Sequence, residues 1–344
     1  MRVGVVGCGG MGTTHLRALR SLKETMGVEV TAIADIRPMC RERAATVWPD
    51  ARQYERAMDL IKEADVDWVH ICLPSDLHAE HAIAALDAGR HVFIEKPVCL
   101  NGEDAKALLE AKKRSGKTVM VGHVVRWFAA YEYLKKVYDS KEYGELKSIV
   151  MKRVGSHPTN GIDNWFLDWR RSGGVMMDLH IHDLDFLRYM IGEPDSRHMC
   201  VSSFEDGTPN QMVAAYEFGN VWACAEACWD RSTSMKFTSA YRASFENATV
   251  VYGGRDEDGV TIYPVEGDSH TVSLSSEAES EAGQTEINVS MISPYCAEDI
   301  YFVTCLKNGI EPEKASLETA VRSALLAKEE LDEALEILKN KKNQ

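Results

Sequence analysis

The chain has 344 residues and a mass of 38.4 kDa, more than one compact core usually spans, so two domains are expected and a single small module is excluded. Hydrophobic residues at 45% and charged residues at 27% exclude a largely disordered, collagen-like or low-complexity protein. With 39 Lys and Arg against 53 Asp and Glu the formal net charge is -14, and no basic run is long enough to track a phosphate backbone, so nucleic acid is not an expected partner.

The longest apolar stretches fall short of the ~20 residues of a membrane span, and the chain opens on MRVGVVGCGGMG without a basic leader region or cleavage site. A cytoplasmic location with no membrane contact is therefore expected. Seven of the nine cysteines are scattered singly, which fits reduced core thiols. Cys224 and Cys228 form the one close pair, but CAEAC sits in an apolar stretch with no second ligand pair beside it, so no metal is expected. The sequons at Asn247 and Asn288 read as chance matches in such a protein.

Up to residue 122 short β-rich runs alternate with helical stretches, the rhythm of a parallel sheet wrapped by helices. Predicted strands are Arg2 to Val6, Val28 to Ala34, Trp68 to Cys72, His91 to Ile94 and Thr118 to Val121. Predicted helices between them are Met11 to Leu22, Pro38 to Val47, Leu77 to Ala88 and Asn101 to Ser115. Five strands and four crossovers make a doubly wound nucleotide-binding domain. A helix over Tyr131 to Asp139 follows, then strands joined without helices from Lys147 to Val154 and from Met199 to Ile262, with turn signals such as EFGN and RDEDG. These read as a large open sheet, mostly antiparallel, in an α+β second domain. Between the two strand blocks GGVMMDLHIHDLDFLRYMIGEP has apolar residues at helical spacing and predicts one helix ending at Gly192 and Pro194. Final helices are expected over Ala297 to Lys307 and Leu317 to Lys339.

Three motifs carry chemistry. The first is RVGVV followed by Gly7, Gly9, Gly10, Met11 and Gly12 in GCGGMG, a helix, and Asp35 at the end of the next strand. This is the dinucleotide fingerprint in its required setting. Gly7 permits the tight turn, Gly9 lets the backbone approach a pyrophosphate, Gly12 lets helix and strand pack, and the helix N-terminus offers free N–H groups. Asp35 suits the two ribose hydroxyls of NAD, while Arg37 is placed to partner the 2′-phosphate of NADP, so NAD is preferred with NADP as the alternative. The second motif, HVFIEKP, runs out into Glu95, Lys96 and Pro97 at the carboxyl end of the fourth predicted strand, where parallel sheets bind ligands. Read alone, Lys96 is equally a surface lysine closing a strand. The third, DLHIHD, puts Asp178 and His182 four apart, hence on one helical face, with His180 and Asp183 pointing elsewhere. A carboxylate beside an imidazole suits acid-base work, although in isolation such a pair more often caps or solvates a helix.

GVVGCGGMG with Asp35, ICLPSDLHAEHAIAALDAGRHVFIEKP, VGHVVRW, GGVMMDLHIHDLD and AEDIYFVTCLKNGIEP together resemble the Gfo/Idh/MocA family of nicotinamide-dependent oxidoreductases, which includes glucose-fructose oxidoreductase and inositol dehydrogenase. The resemblance is close over residues 1–127, 165–195 and 295–335 and is a matter of strand pattern across 199–290. It implies an N-terminal Rossmann domain over 1–124 and a substrate and oligomerisation domain over 125–344, whose last helices are expected to pack back on the first domain. It also implies an active site in the cleft between the two and a homodimer or homotetramer formed through the second sheet.

By that resemblance Lys96, Asp178 and His182 match the catalytic Lys, Asp and His, with hydride passing between a secondary alcohol of a sugar, inositol or nucleotide sugar and the nicotinamide. His182 would move the hydroxyl proton, Lys96 would hydrogen-bond the reacting oxygen and the cofactor ribose, and Asp178 would orient the ring hydroxyls or the histidine. Leu73, Pro74 and His78 match the loop over the cofactor, and Arg126 matches an arginine near the nicotinamide; Ile36 and Glu95 are expected as further cofactor contacts. Departures fall at His180, where many relatives have Gly, and at Val125, where relatives carry Asn or Arg. Trp165 and Arg170, in the segment leading to the catalytic helix, are candidates for substrate contact, against the plainer reading of a satellite core. Two alternatives share the scaffold: a glycosidase-like enzyme with a closed redox cycle, and a dinucleotide-binding sensor without catalysis.

Overall fold

The computed structural model describes residues 1–342 apart from 160, 205–206, 254–258 and 275–292. The Asn288 sequon and most of the RDEDG turn lie outside the described residues. The described chain falls into two compact units, Met1–Trp127 with the segment from Ser293 to Arg322, and the segment from Phe128 to Ser273 with Ser323 onward.

In the first unit the strands are β1 (Arg2–Val6), β2 (Glu29–Ala34), β3 (Arg52–Tyr54), β4 (Trp68–Ile71), β5 (His91–Glu95) and β6 (Val119–Gly122). The helices are α1 (Gly10–Met26), α2 (Pro38–Val47), α3 (Ala57–Glu63), α4 (His78–Asp87) and α5 (Gly102–Ser115). All pairings are parallel, in the order β3-β2-β1-β4-β5-β6, so the doubly wound sheet reverses direction between β1 and β4. Val3, Val5 and Val6 of β1 are fully buried, as a strand covered by helices on both faces requires. Local chemistry sets the helix ends: the Asn101 side chain accepts from Asp104 N–H at the start of α5, and Gly27 and Gly116 end α1 and α5 in the left-handed region.

The five-strand expectation is corrected by β3 and the α3 crossover. β3 is three residues at the sheet edge with Arg52 and Gln53 exposed, so it carries no apolar run to read. The core of this unit joins Leu16 and Leu19 of α1 to Trp68, Phe93, Cys296, Phe302 and Val303, the last three from α9 (Pro294–Asn308), which packs along α1.

The second unit begins with α6 (Ala129–Ser140) and β7 (Leu146–Ser156), passes α7 (Trp169–Ser172) and reaches α8 (Ile181–Met190). It continues through β8 (Ser196–Ser202), β9 (Gln211–Phe218), β10 (Val221–Asp230), β11 (Thr238–Phe245), β12 (Ala248–Tyr252), β13 (Gly259–Pro264) and β14 (His270–Ser273). Among the described residues these strands form one sheet, β14-β13-β12-β11-β7-β10-β9-β8, antiparallel throughout except for the β7–β10 pair. On β9 Met212, Ala214 and Tyr216 face the core while Val213 is exposed, the alternation of a half-buried strand. The last helix, α10 (Leu317–Lys342), begins in the first unit and ends in the second. No helix among the described residues is long and apolar enough to cross a membrane.

The single helix expected over the DLHIHD segment is present, but with a π-turn that the spacing did not predict. Gly173 and Gly174 take φ of 76° and 61°, Met176–His180 form a π-turn within the helix, and the α-helix runs on from Ile181 to Met190. The Ile181 N–H bonds back to the Met176 carbonyl, closing a turn with one residue too many for an α-helix.

Candidate active site and dinucleotide site

Gly7 adopts φ +85°, and a Cβ there would lie 2.3 Å from the Cys72 carbonyl oxygen; a Cβ on Gly12 would lie 1.8 Å from the Gly7 carbonyl oxygen. Both positions therefore require glycine, one for the turn and one for helix against strand. A Cβ on Gly10 would meet nothing within 4 Å. Gly9 caps α1 with no side-chain hydrogen bond, and no acidic residue stands in the first turn. The first N–H groups of this 17-residue helix thus have no side-chain cap, and Arg37 and Arg43 stand beside the turn, which suits a pyrophosphate.

Asp35 follows β2 directly and lies beside the glycine turn, bonded to Cys8 N–H. Its Oδ2 accepts from Cys8 N–H at 2.9 Å and from Arg37 Nη2 at 3.3 Å, and its Oδ1 accepts from Arg37 N–H at 2.9 Å and Arg37 Nε at 3.1 Å. These contacts fill the acceptor sites of the carboxylate. The two from the Arg37 guanidinium, 38% exposed, are the ones an incoming hydroxyl could displace, whereas Cys8 N–H holds the carboxylate in place. Asp35 is 7% exposed and Ile36 63% exposed. Burial, with the Asp35 charge adding, pushes the Cys8 thiol up to about 12, so it stays protonated.

His78, fully buried at the start of α4, ties the Leu73–Pro74 loop to the EKP turn. Its Nδ1 lies 2.7 Å from the Pro97 carbonyl oxygen and its Nε2 lies 2.8 Å from the Leu73 carbonyl oxygen. Burial lowers its pKa, and the two carbonyls work against that shift. The Lys96–Pro97 bond is cis, and Lys96 is half-buried. Glu95, read from the sequence as a cofactor contact, turns inward: it is 7% exposed, its Oε2 accepts from Lys96 N–H at 3.2 Å and its Oε1 from His15 Nε2 at 2.9 Å. Arg126 is 2% exposed, and its guanidinium donates to the Lys314 carbonyl.

In the second unit Asp178 stands on the π-turn and His182 on the first turn of α8, both half-buried. Flanking residues anchor the segment. His180 Nε2 lies 2.9 Å from Glu330 Oε2 and 2.8 Å from the Tyr216 hydroxyl, which itself donates to Glu330 Oε1 at 2.6 Å. Asp183 accepts from Arg153 Nη2 at 2.7 Å. His180, unusual by the resemblance, thus fastens the π-turn to β9 and α10. Trp165 stacks on Phe166 at 3.9 Å between ring centroids, and Arg170 is exposed over the Trp169 ring.

Sequence reasoning passed over His15, Glu298 and Asp299. Their signal is an ionisable group on the apolar face of a helix: all three are inaccessible to solvent.

Two sequence profiles match the chain: "Oxidoreductase family, NAD-binding Rossmann fold" over residues 1–123 and "GFO/IDH/MocA C-terminal domain" over residues 131–267. Inositol 2-dehydrogenase of Salmonella typhimurium is 36% identical over 195 residues, 56% of this chain and 55% of the relative. Myo-inositol 2-dehydrogenase of Thermotoga maritima is 32% identical over the same length, 56% of this chain and 55% of the relative. The matched stretch is thus about half the length of these curated relatives. The solved structure of levoglucosan dehydrogenase in complex with NADH and levoglucosan superposes with a TM-score of 0.83 at 20% identity, covering 98% of each chain, a likeness of fold. The dinucleotide cradle, the two sheets and the paired profiles together make this chain a member of the Gfo/Idh/MocA family of NAD-binding oxidoreductases.

Proposed function

We propose that the chain is an NAD-dependent dehydrogenase that exchanges hydride between a secondary alcohol of a sugar, polyol or nucleotide sugar and the nicotinamide. The observation that carries this reading is the uncapped N-terminus of α1 beside Asp35, with Lys96 at the carboxyl end of β5 in the same unit. The inositol dehydrogenases among the relatives, and the family to which the chain belongs, support a ring alcohol as substrate.

The nicotinamide, when bound, supplies the hydride acceptor or donor. The chain's own residues would handle the proton and the charge. His182 takes the hydroxyl proton in oxidation and returns it in reduction, general acid-base work. The Lys96 ammonium stabilises negative charge developing on the reacting oxygen, an effect of roughly 3 kcal/mol for one such donor. Asp178 orients the substrate hydroxyls or the His182 ring. Trp165 and Arg170 are proposed to border the sugar, and Arg126, held on the Lys314 carbonyl, to back the nicotinamide side.

We also propose self-association through the second sheet, whose outward face exposes Val213 and Trp222, and a cytoplasmic setting, which suits nine free cysteines.

The test is a screen of NAD and NADP reduction against inositols, hexoses, sugar acids and UDP-sugars, with NADH binding measured in parallel. Accumulating reduced nicotinamide supports the dehydrogenase reading. Turnover without it would favour a closed redox cycle, and no dinucleotide binding would overturn both. Asp35→Ser is expected to weaken NAD about tenfold or more and NADP less, because two hydrogen bonds to a charged acceptor are lost. Equal losses in fluorescence titrations of NADH and NADPH would mean that Asp35 does not hold the ribose.

A further inference from the structure

Behind the Lys96 turn lies a group of buried ionisable side chains contributed entirely by the first unit. His15 comes from α1, His70 from β4, Glu95 from β5, and Glu298 and Asp299 from α9. His15, His70, Glu298 and Asp299 have no accessible surface. His15 Nε2 lies 2.9 Å from Glu95 Oε1 and 3.8 Å from Glu298 Oε1, while Nδ1 lies 3.1 Å from Asp299 Oδ2. His70 Nδ1 is 3.8 Å from Asp299, the His15 and His70 rings are 4.1 Å apart, and the Tyr295 ring meets His15 edge-on at 5.8 Å. Cys72 completes the surroundings, within 4.8 Å of the His15 and His70 nitrogens.

A ring with a carboxylate at each nitrogen is satisfied as the imidazolium, since ionised carboxylates only accept. The shifts agree with this. Burial opposes the charge on His15, but Asp299 and then Glu95 outweigh it and hold the ring well above the ordinary histidine range. Burial likewise opposes ionisation of Glu95, yet His15 and Lys96 keep its carboxyl below the usual value. Burial, reinforced by the Glu95 and Asp299 charges, pushes Glu298 well above the carboxylate range, and neither of its oxygens has a hydrogen-bond partner. Burial and the His15 charge push His70 well below 6.5. Burial raises Asp299 as well, and the charge and hydrogen bond of His15 work against that rise. The geometry of a carboxylate at each ring nitrogen is what favours the imidazolium.

We propose that His15 is a positioning residue: as an imidazolium clamped between Glu95 and Asp299, it ties the carboxyl end of β5, and with it Lys96, to the helix that receives the dinucleotide. The link runs from the first turn of α1 at Gly10 through His15 to Glu95 Oε1, and from Glu95 Oε2 to Lys96 N–H at 3.2 Å. The inference rests on Lys96 being the group that meets the reacting oxygen.

The experiment compares full-length wild type, His15→Gln, Glu95→Gln and Lys96→Ala in NADH titrations, and in turnover from pH 6 to 10 on the alcohol found in the screen. His15→Gln is expected to lower kcat by about 10- to 100-fold at neutral pH, the scale of a small misplacement of a reacting group, with NADH affinity changed far less. Because the His15 pKa is raised, its contribution is present at low pH and lost as pH rises through the folded value. Wild type should therefore show an alkaline limb in kcat that His15→Gln lacks. A uniform loss across pH that follows the folded fraction by circular dichroism would make the role merely structural and overturn the proposal, as would wild-type kcat and pH profile. Should His15→Gln not fold, Glu95→Gln decides: removing that charge moves the alkaline limb to lower pH, and an unmoved limb overturns the proposal. A divalent metal retained in stoichiometric amount by wild type and lost in His15→Gln would also overturn it, since a cation would then replace the proton. Unchanged turnover in Lys96→Ala would instead refute the assignment of Lys96, a separate failure.

Discussion

Lys96→Ala and His182→Ala are each expected to lower turnover by about two orders of magnitude or more while NADH binding stays near wild type. The two losses have different origins. In the proposed mechanism Lys96 would offer a charged donor to the oxygen on which negative charge develops, so its removal would raise the barrier without touching the helix start at Gly9 and Gly10. In the same mechanism His182 would handle the proton, and without it the hydroxyl would have to lose its proton to water. The measurement is steady-state turnover with NADH fluorescence titrations of the same preparations. Unchanged turnover in either variant removes that residue from the mechanism, and a collapse of NADH affinity in Lys96→Ala would make the lysine a cofactor anchor.

The glycine turn was legible from local spacing because its requirements are local. Gly7, Gly9 and Gly12 sit within six positions of one another, and the steric reasons for two of them, contacts of 2.3 and 1.8 Å for an added Cβ, depend on the turn they build. The place of Asp35 just after β2 was legible because the end of that strand is set by the apolar run before it. The Arg37 guanidinium on both Asp35 oxygens was not, since the same residues equally allow Arg37 to reach outward.

The sheets were legible as classes rather than in every strand. β3 escaped because an edge strand of three residues buries only Tyr54. The π-turn escaped because one extra residue leaves the apolar spacing of GGVMMDLHIHD nearly unchanged, while the two glycines before it absorb the backbone change. The cluster around His15 was illegible for a different reason. His15 and Asp299 are separated by 284 residues, and only the packing of α9 on α1 brings them together. A buried histidine with carboxylates on both nitrogens is a property of tertiary structure, invisible to any pattern of neighbours in sequence.

The largest effect on stability is expected from Asp183→Ala, about 3–5 kcal/mol, because it strands a buried guanidinium. Arg153 on β7 and Asp183 on α8 have side chains 6% and 1% exposed, and Arg153 Nη2 and Nε reach Asp183 Oδ1 at 2.7 and 3.2 Å. Burial opposes the charge on Arg153, and Asp183 outweighs it, keeping the guanidinium above its already high range. After the substitution the Tyr131 hydroxyl at 3.0 Å, itself 2.7 Å from Ser239 Oγ, is a neutral partner that cannot balance the charge. Urea unfolding followed by circular dichroism should show the midpoint falling with the slope unchanged. The paired substitution Arg153→Met with Asp183→Leu should recover most of the loss, since it removes both charges together and fills the space with apolar groups. A single-variant cost below about 1 kcal/mol would mean that water reaches the guanidinium once the carboxylate is gone. Because Asp183 follows His182 directly, the single variant should also lower turnover, and the paired one should restore folding sooner than activity: the ion pair sets the direction of the first turn of α8, which apolar packing holds less strictly.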